Sequence, residues 1–433
     1  MKKLNTFGAV TDSTVAEAAE AFGTPVYLYD ETLIAERCRE VLAMPNAYGI
    51  GVRYAMKANS SRALLKIIRK AGLAFDASSL NEVRRAHASG IAYSEIMLTT
   101  QEVPLGADRA DLEAMIDQGL KYNVCSLRQL ELIGDFAAAK GHRLSMRIHP
   151  GVGAGESATR NTGDDYSCFG VHLSNLGEAL RLAGEKGLIF RCVHVHIGSG
   201  GDPAVWRENI DRELEIVEKY FPEAQSVSLG GGLKEARMPD ERAADVAALG
   251  LYAKARFEDF YARTGRKLTM EIEPGTYIMA NAGYIVTRVM DKKQTGGGLN
   301  FVLTDGGMET NARPLLYGSR HPFYVVSQAG ELLSSDFSEI PGEYRAAVVG
   351  RCCESGDAQC LTEDGLSVQR PMAEPNCGDY VVIGGAGAYC ASMSLMNYNS
   401  HVQAPEVLLA GTGNLRQIRR RQTLEQVMEN EMD

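Results

Sequence analysis

Eight short, β-branched runs, each followed by a segment of helical periodicity, dominate the first two thirds of the chain. The runs are RYAMK (53–57), FDAS (75–78), IMLTT (96–100), YNVCS (122–126), LSMRIHP (144–150), RCVHVHIG (191–198), SVSLGGG (226–232) and TMEIEPG (269–275). Between them lie amphipathic segments such as SRALLKIIRKAG and LNEVRRAHASG. Both end at glycine, as helices commonly do. Strand–helix alternation builds parallel sheets. Eight such units over about 250 residues are what a (β/α)8 TIM barrel requires. A doubly wound open sheet has the same alternation and remains the alternative.

Past about residue 282 the texture changes. YIVTRVMDKK, NFVLTD, HPFYVV, YRAAVVG and DYVVIGG are separated by Gly, Asp and Pro, and helical periodicity is scarce until the last 20 residues. This predicts a mostly β domain, sandwich- or barrel-like. The run TPVYLYD (24–30) precedes the barrel and is assigned to that domain. The expected boundaries are therefore 33–281 for the barrel, with 1–32 and 282–433 forming the β domain. The triplet GGG at 296–298 reads as a loop or hairpin turn.

Bulk properties exclude several classes of function. A formal net charge of −10 argues against a general nucleic-acid surface, which needs a basic field. No stretch approaches the roughly 18 apolar residues that span a bilayer. The opening MKKLNTFGAVTDSTVAEAAEAFG has no apolar core of the kind a signal peptide carries. Nine cysteines, without CxxC spacing, fit reduced thiols in a cytoplasm and give no reason to expect a metal site.

In a TIM barrel, functional residues collect at the C-terminal ends of the strands. Four features here fall at those ends. Lys57 closes the first run in YAMKAN, and His196 stands near the end of the sixth in HVHIGSG. Gly230, Gly231 and Gly232 close the seventh, and Glu273 closes the eighth in EIEPG. Each also has an ordinary reading: a surface lysine, a core histidine, a flexible loop, a strand-end carboxylate. Together they suggest one site. A desolvated Lys57 amine would be nucleophilic enough to form a Schiff base. Glycines at a strand-to-helix turn expose N–H groups to a phosphate, and Ser199 adds a hydroxyl. Glu273 set against a pyridine nitrogen would keep it protonated. In the second domain, CCESGD (352–357) gathers a thiol and two carboxylates around a glycine.

YAMKAN, DASSLNE, HVHIGSG, SLGGG, EPG, ARPLLY, CCESGD and GAGAYCASM follow one another between about residues 24 and 402. In that order they resemble the fold type III decarboxylases dependent on pyridoxal 5′-phosphate (PLP), the diaminopimelate enzymes most closely. Ornithine, lysine and arginine decarboxylases belong to the same family. The resemblance implies a PLP-binding barrel followed by a β domain that takes the N-terminal strand.

It also implies roles. Lys57 would carry the cofactor and His196 would stack on its ring. Ser199, Gly230, Gly231, Gly232 and Tyr389 would hold the phosphate, and Glu273 would pair with the ring nitrogen. Asp76, in DASSLNE, and Gly275, in EPG, would complete the cofactor contacts. Arg313 and Tyr317 would bind a substrate carboxylate, and Glu354 the distal amine. Tyr389 and Asp357 would also face the substrate. Cys353 would return the proton after CO2 leaves, with Cys352 as packing. The CESGD loop would enter the site of a partner subunit, so a homodimer with shared sites is implied.

Two positions depart from the family pattern. Thr276 follows EPG where an arginine is usual, and it cannot make a bidentate ion pair. Arg320 and Arg160 are candidates to replace that cation. In Ser167-Cys168-Phe169-Gly170, Cys168 stands where many relatives have Lys. The preferred substrate is meso-diaminopimelate, because ARPLLY supplies a cation and a phenol for a second carboxylate. The alternatives are a modified or carrier-tethered amino acid, or ornithine, lysine or arginine. A regulatory homologue would have lost Lys57 or Cys353, and a racemase or a small PLP carrier would lack the CESGD turn or the β domain.

Overall fold

The computed structural model describes the whole chain apart from residues 6, 152–161, 163–165, 197, 199–202, 341 and 433. The chain divides into two compact units. One comprises Arg37–Glu235 and Ala243–Tyr277; the other comprises Met1–Glu36, Ala236–Arg242 and Ile278–Asp433.

The first unit is a closed parallel barrel. Its strands are Ile50–Ala55, Ala74–Ala77, Ile96–Thr99, Lys121–Val124, Leu144–His149, Phe190–His194, Ser226–Ser228 and Thr269–Ile272. Each pairs in parallel with the next, and the last returns to the first through Met270 opposite Ile50 and Ile272 opposite Val52. The alternation read from the sequence therefore closes on itself, and the open-sheet alternative is excluded. The helices form because their apolar residues recur on one face. Arg62–Lys70 buries Leu64, Leu65 and Ile68. Leu80–Ala88 buries Leu80, Val83 and Ala86 and is capped by Ser79, whose hydroxyl accepts from the Glu82 N–H.

The second unit is built on a ten-stranded sheet. The N-terminal strand Val26–Asp30 lies inside it, antiparallel to Gly283–Gln294 and parallel to Glu406–Leu409. Its core includes Val26, Leu28, Tyr284, Val286, Tyr324, Val382 and Val407. The glycine triplet at 296–298 turns the hairpin between Gly283–Gln294 and Asn300–Thr304, with the Thr295 N–H donating to Leu299 O at 3.0 Å.

Two features differ from the sequence reading. The helix Asp12–Phe22, with Thr11 as its capping residue, lies in the stretch assigned only to a β domain. The segment Ala236–Arg242 falls within the expected barrel span but groups with the β unit. Side chains hold it there: Arg237 Nε donates to Gly385 O at 3.0 Å, and Asn281 Nδ2 to Ala236 O at 2.8 Å. Among the described residues, no helix is long and apolar enough to cross a membrane.

Candidate active site

The C-terminal mouth of the barrel encloses a cavity of about 300 Å³ whose lining includes Lys57, Asp76, Arg147, His194, His196 and Glu273. Lys57 sits in a single 3-10 turn, Met56–Ala58, directly after the first strand. Local bonds shape that turn. The Tyr54 hydroxyl donates to Asn59 O at 3.0 Å, and Asn59 Oδ1 accepts the Ser61 N–H at 3.1 Å. Gly275 packs over it: a Cβ there would lie 3.1 Å from Ala58 Cβ and 3.3 Å from Ala55 Cβ. The lysine side chain is exposed to the cavity rather than desolvated as expected. Its charge acts on Asp76, Glu82 and His196.

The mouth holds two buried carboxyl groups, and the surroundings give them opposite states. Burial pushes Asp76 well above the usual carboxylate range, and the charge of Glu273 pushes the same way. Thr99 Oγ1 donates to it at 2.7 Å. Burial would also raise Glu273, but the field of His194, with hydrogen bonds from His194 and Ser228, outweighs it and holds the carboxylate down at about 2. His194 Nε2 is 2.9 Å from Glu273 Oε2, and Ser228 Oγ donates to Oε1 at 3.0 Å. An ionised carboxylate accepts up to about four hydrogen bonds, so Glu273 keeps capacity for a ring N–H. His196 is driven well below its usual pKa by burial, then by Lys57 and Arg147. It is a neutral imidazole whose Nδ1 accepts the Gly231 N–H at 3.0 Å.

The glycine run departs from its expected use. The Gly230 N–H donates to Ser228 Oγ at 3.4 Å and the Gly231 N–H to His196 Nδ1, so these two donors orient side chains instead of a phosphate. What the run supplies is clearance. Gly230 and Gly232 have φ of 66° and 94°. A Cβ on Gly231 would lie 2.7 Å from Glu273 O, and one on Gly232 would lie 2.7 Å from Gly198 O. Ser199, expected at the phosphate, lies outside the described residues.

Arg147 is a mouth residue the sequence reading missed. It is 6% exposed, its guanidinium lies over the Phe169 ring at 4.9 Å, and its Nε and Nη2 have no hydrogen-bond partner. A cation inside the strand LSMRIH, in register with the inward-facing Ser145 and His149, was the available signal.

The β unit arranges its own candidates. Arg313 opens the short helix Arg313–Tyr317 and is 4% exposed. Its guanidinium lies 5.9 Å from the Tyr317 ring and 5.7 Å from the Tyr389 ring, and Nη2 donates to Ser319 Oγ at 3.3 Å. Its Nε has no partner. No acidic side chain pairs with it among the described residues. Tyr389 is held at φ 59°, a left-handed conformation uncommon for a tyrosine.

In the CCESGD loop, Cys353 is exposed and its N–H donates to Asn399 Oδ1 at 2.8 Å. Cys352 is buried, and burial followed by Glu309 and Asp357 pushes its thiol up. Glu354 is exposed, with the Tyr398 hydroxyl 3.5 Å from Oε2. Asp357 differs from its expected role at the substrate. It is 3% exposed and accepts the Met308 and Cys352 N–H groups, both at 2.7 Å, so it clasps the loop from beneath. Glu309, Cys352 and Asp357 bring their ligand atoms within 4.8 Å of one another. Protein donors already serve both carboxylates.

The barrel mouth fits PLP: an amine, one ionised buried carboxylate, a neutral imidazole, a glycine run that admits no side chain, and a buried guanidinium with unmatched donors. Known proteins agree. The family model described as "Pyridoxal-dependent decarboxylase, pyridoxal binding domain" matches residues 33–280. The diaminopimelate decarboxylase of Escherichia coli (strain K12) is 35% identical over 415 residues, covering 95% of this chain and 94% of that protein. A crystal structure of a diaminopimelate decarboxylase superposes with a TM-score of 0.87 at 32% identity, covering 100% of this chain and 99% of that one. The Helicobacter pylori diaminopimelate decarboxylase, complexed with L-lysine, gives 0.79 at 27%, covering 96% and 98%. The chain belongs to the pyridoxal-dependent decarboxylases and is a PLP-dependent carboxy-lyase.

Proposed function

We propose that the enzyme decarboxylates meso-diaminopimelate to L-lysine. The observation that carries this substrate is Arg313. A buried guanidinium with an unmatched N–H and no acidic partner among the described residues is costly unless an anion joins it. A second substrate carboxylate, absent from ornithine and lysine, is such an anion. Relatives at 35% and 27% identity are named for the same substrate, the latter solved with L-lysine.

PLP, when bound, supplies the electron sink for the pair released as CO2 departs. The chain supplies position and protons. Lys57 anchors the cofactor at the strand end. Glu273, ionised, keeps the ring nitrogen protonated, and neutral His196 offers a flat face without adding charge. Asp76, Gly275, the glycine run with Ser199, and Tyr389 complete the cofactor's surroundings. Arg313 and Tyr317 hold the distal carboxylate, Glu354 the distal amine, and Cys353 returns the proton. Asp357 acts by shaping the loop that carries Cys353 and Glu354. Arg320, one candidate for the arginine missing at Thr276, pairs with Asp240 through two bonds of 2.9 and 3.0 Å. Among the described residues, Arg147 is a second cation at the barrel mouth beside Lys57; Arg160 lies outside the described residues.

The reading is tested by CO2 release from purified enzyme given meso-diaminopimelate, ornithine or lysine. Turnover should be fastest with meso-diaminopimelate. No release from it, with turnover of ornithine or lysine, would overturn this reading.

The working form proposed is a cytoplasmic homodimer in which the CESGD loop of one subunit serves the site of the other. All nine cysteines are free thiols, which supports a reducing compartment. Lys57→Ala and Cys353→Ala proteins should each be inactive. After subunit exchange, random pairing should restore about a quarter of the wild-type activity. A mixture that stays inactive although exchange is demonstrated would count against shared sites.

A further inference from the structure

The N-terminal end of the barrel, opposite the mouth that holds Lys57, carries a second cavity, of about 240 Å³. Its lining includes Arg53, Lys121, Arg143, Arg191 and Glu271. Most of these stand where strands begin. Lys121 starts the fourth barrel strand, Arg143 immediately precedes the fifth, and Arg191 is the second residue of the sixth. Glu271 is already engaged: Arg53 Nε and Nη2 both donate to its Oε2, at 2.9 and 2.8 Å, in a pair that is nearly fully buried. The imidazole on the wall, His142, is bound to Asp117 at 2.7 Å.

Lys121, Arg143 and Arg191 therefore face one small space with no ion pair of their own among the described residues. Lys121 registers the crowding. Burial, followed by repulsion from Arg53 and then Arg191, pushes its ammonium down to about 8, against a partial pull from Glu271. Lys121 is half-buried while Arg143 and Arg191 are exposed, and Glu271, already paired with Arg53, offsets the like charges only in part, so an anion entering here would be favoured. The cavity lies below the roughly 300 Å³ at which drug-sized pockets begin. It suits an ion rather than a nucleotide.

We propose that this cavity is a binding site for a small doubly charged oxyanion, inorganic phosphate or a short dicarboxylate, held by Lys121, Arg143 and Arg191. The site is separate from catalysis, since the strands that form it point their other ends at Lys57. Its occupant neutralises the charge excess at the base of the barrel, so binding stabilises the fold.

The test uses holoenzyme saturated with PLP, so that the cofactor's own phosphate site is filled. Thermal unfolding is followed against inorganic phosphate and, separately, malonate, with chloride matching the ionic strength. Both anions should raise the midpoint to a plateau and compete with one another. In Lys121→Met and in Arg191→Gln the half-maximal concentration should rise by about tenfold or more, with kcat unchanged. Arg191 is exposed, so its variant tests the site even if the lysine variant folds poorly. A midpoint indifferent to both anions, or a response that Arg191→Gln leaves at wild-type concentration, overturns the proposal. A response to one anion alone keeps the site and assigns its ligand.

Discussion

Replacing Lys57 with alanine should reduce kcat by roughly 10⁴-fold or more, the scale seen when a group forming the covalent bond is removed. The same protein should lose the covalent carbonyl–amine link that borohydride reduces. The wild-type enzyme should be yellow, with a band near the visible edge that borohydride bleaches and fixes to the chain. The variant should fold normally. Lys57 is exposed to the mouth cavity and contributes no core packing. Its turn is held by Tyr54, Asn59 and the close approach of Gly275. The change should also be felt electrostatically. Lys57 lowers Asp76 and Glu82 and depresses His196, so its loss raises all three. A Lys57→Ala protein that keeps both turnover and a borohydride-sensitive band would remove the lysine from the site.

Lys57 and Glu273 were legible only in company: each reads as ordinary alone, but both close barrel strands whose ends meet at one mouth, where Lys57, His196 and Glu273 line one cavity. The barrel was legible because a change between periods of two and 3.6 can be read one segment at a time. Failures came where the deciding partner is distant in sequence. Nothing near Gly231 says that its N–H will be taken by His196, 35 residues away. Nothing in CCESGD says that Asp357 will turn inward to the Met308 N–H, 49 residues away. Arg237 joins the β unit through Gly385, a bond across 148 residues. Gly231 and Asp357 were expected to face a ligand and instead pair within the chain, as almost all buried polar groups must, while no role was expected of Arg237. Arg147 fails in the opposite sense: it lies in an apolar strand, looks structural, and keeps two donors unmatched.

Arg313→Met should separate the substrates. Truncating one partner of a buried, hydrogen-bonded charge pair costs about 2–5 kcal/mol, so kcat/KM for meso-diaminopimelate should fall about 30-fold to several thousand-fold. Methionine keeps most of the apolar stem, so the packing of the short helix should survive. An unchanged unfolding midpoint would show this. For ornithine or lysine, which bring no second carboxylate, the same change should alter kcat/KM by no more than a few-fold, and the ratio between substrates should collapse. Arg313→Lys should recover only part of the loss, because an ammonium cannot present the planar fork that a carboxylate fits. If the two substrate classes fell together, Arg313 would be supporting the fold around Tyr389 rather than reading the substrate. The specificity would then have to reside on the barrel side, where Arg147 is a candidate cation among the described residues.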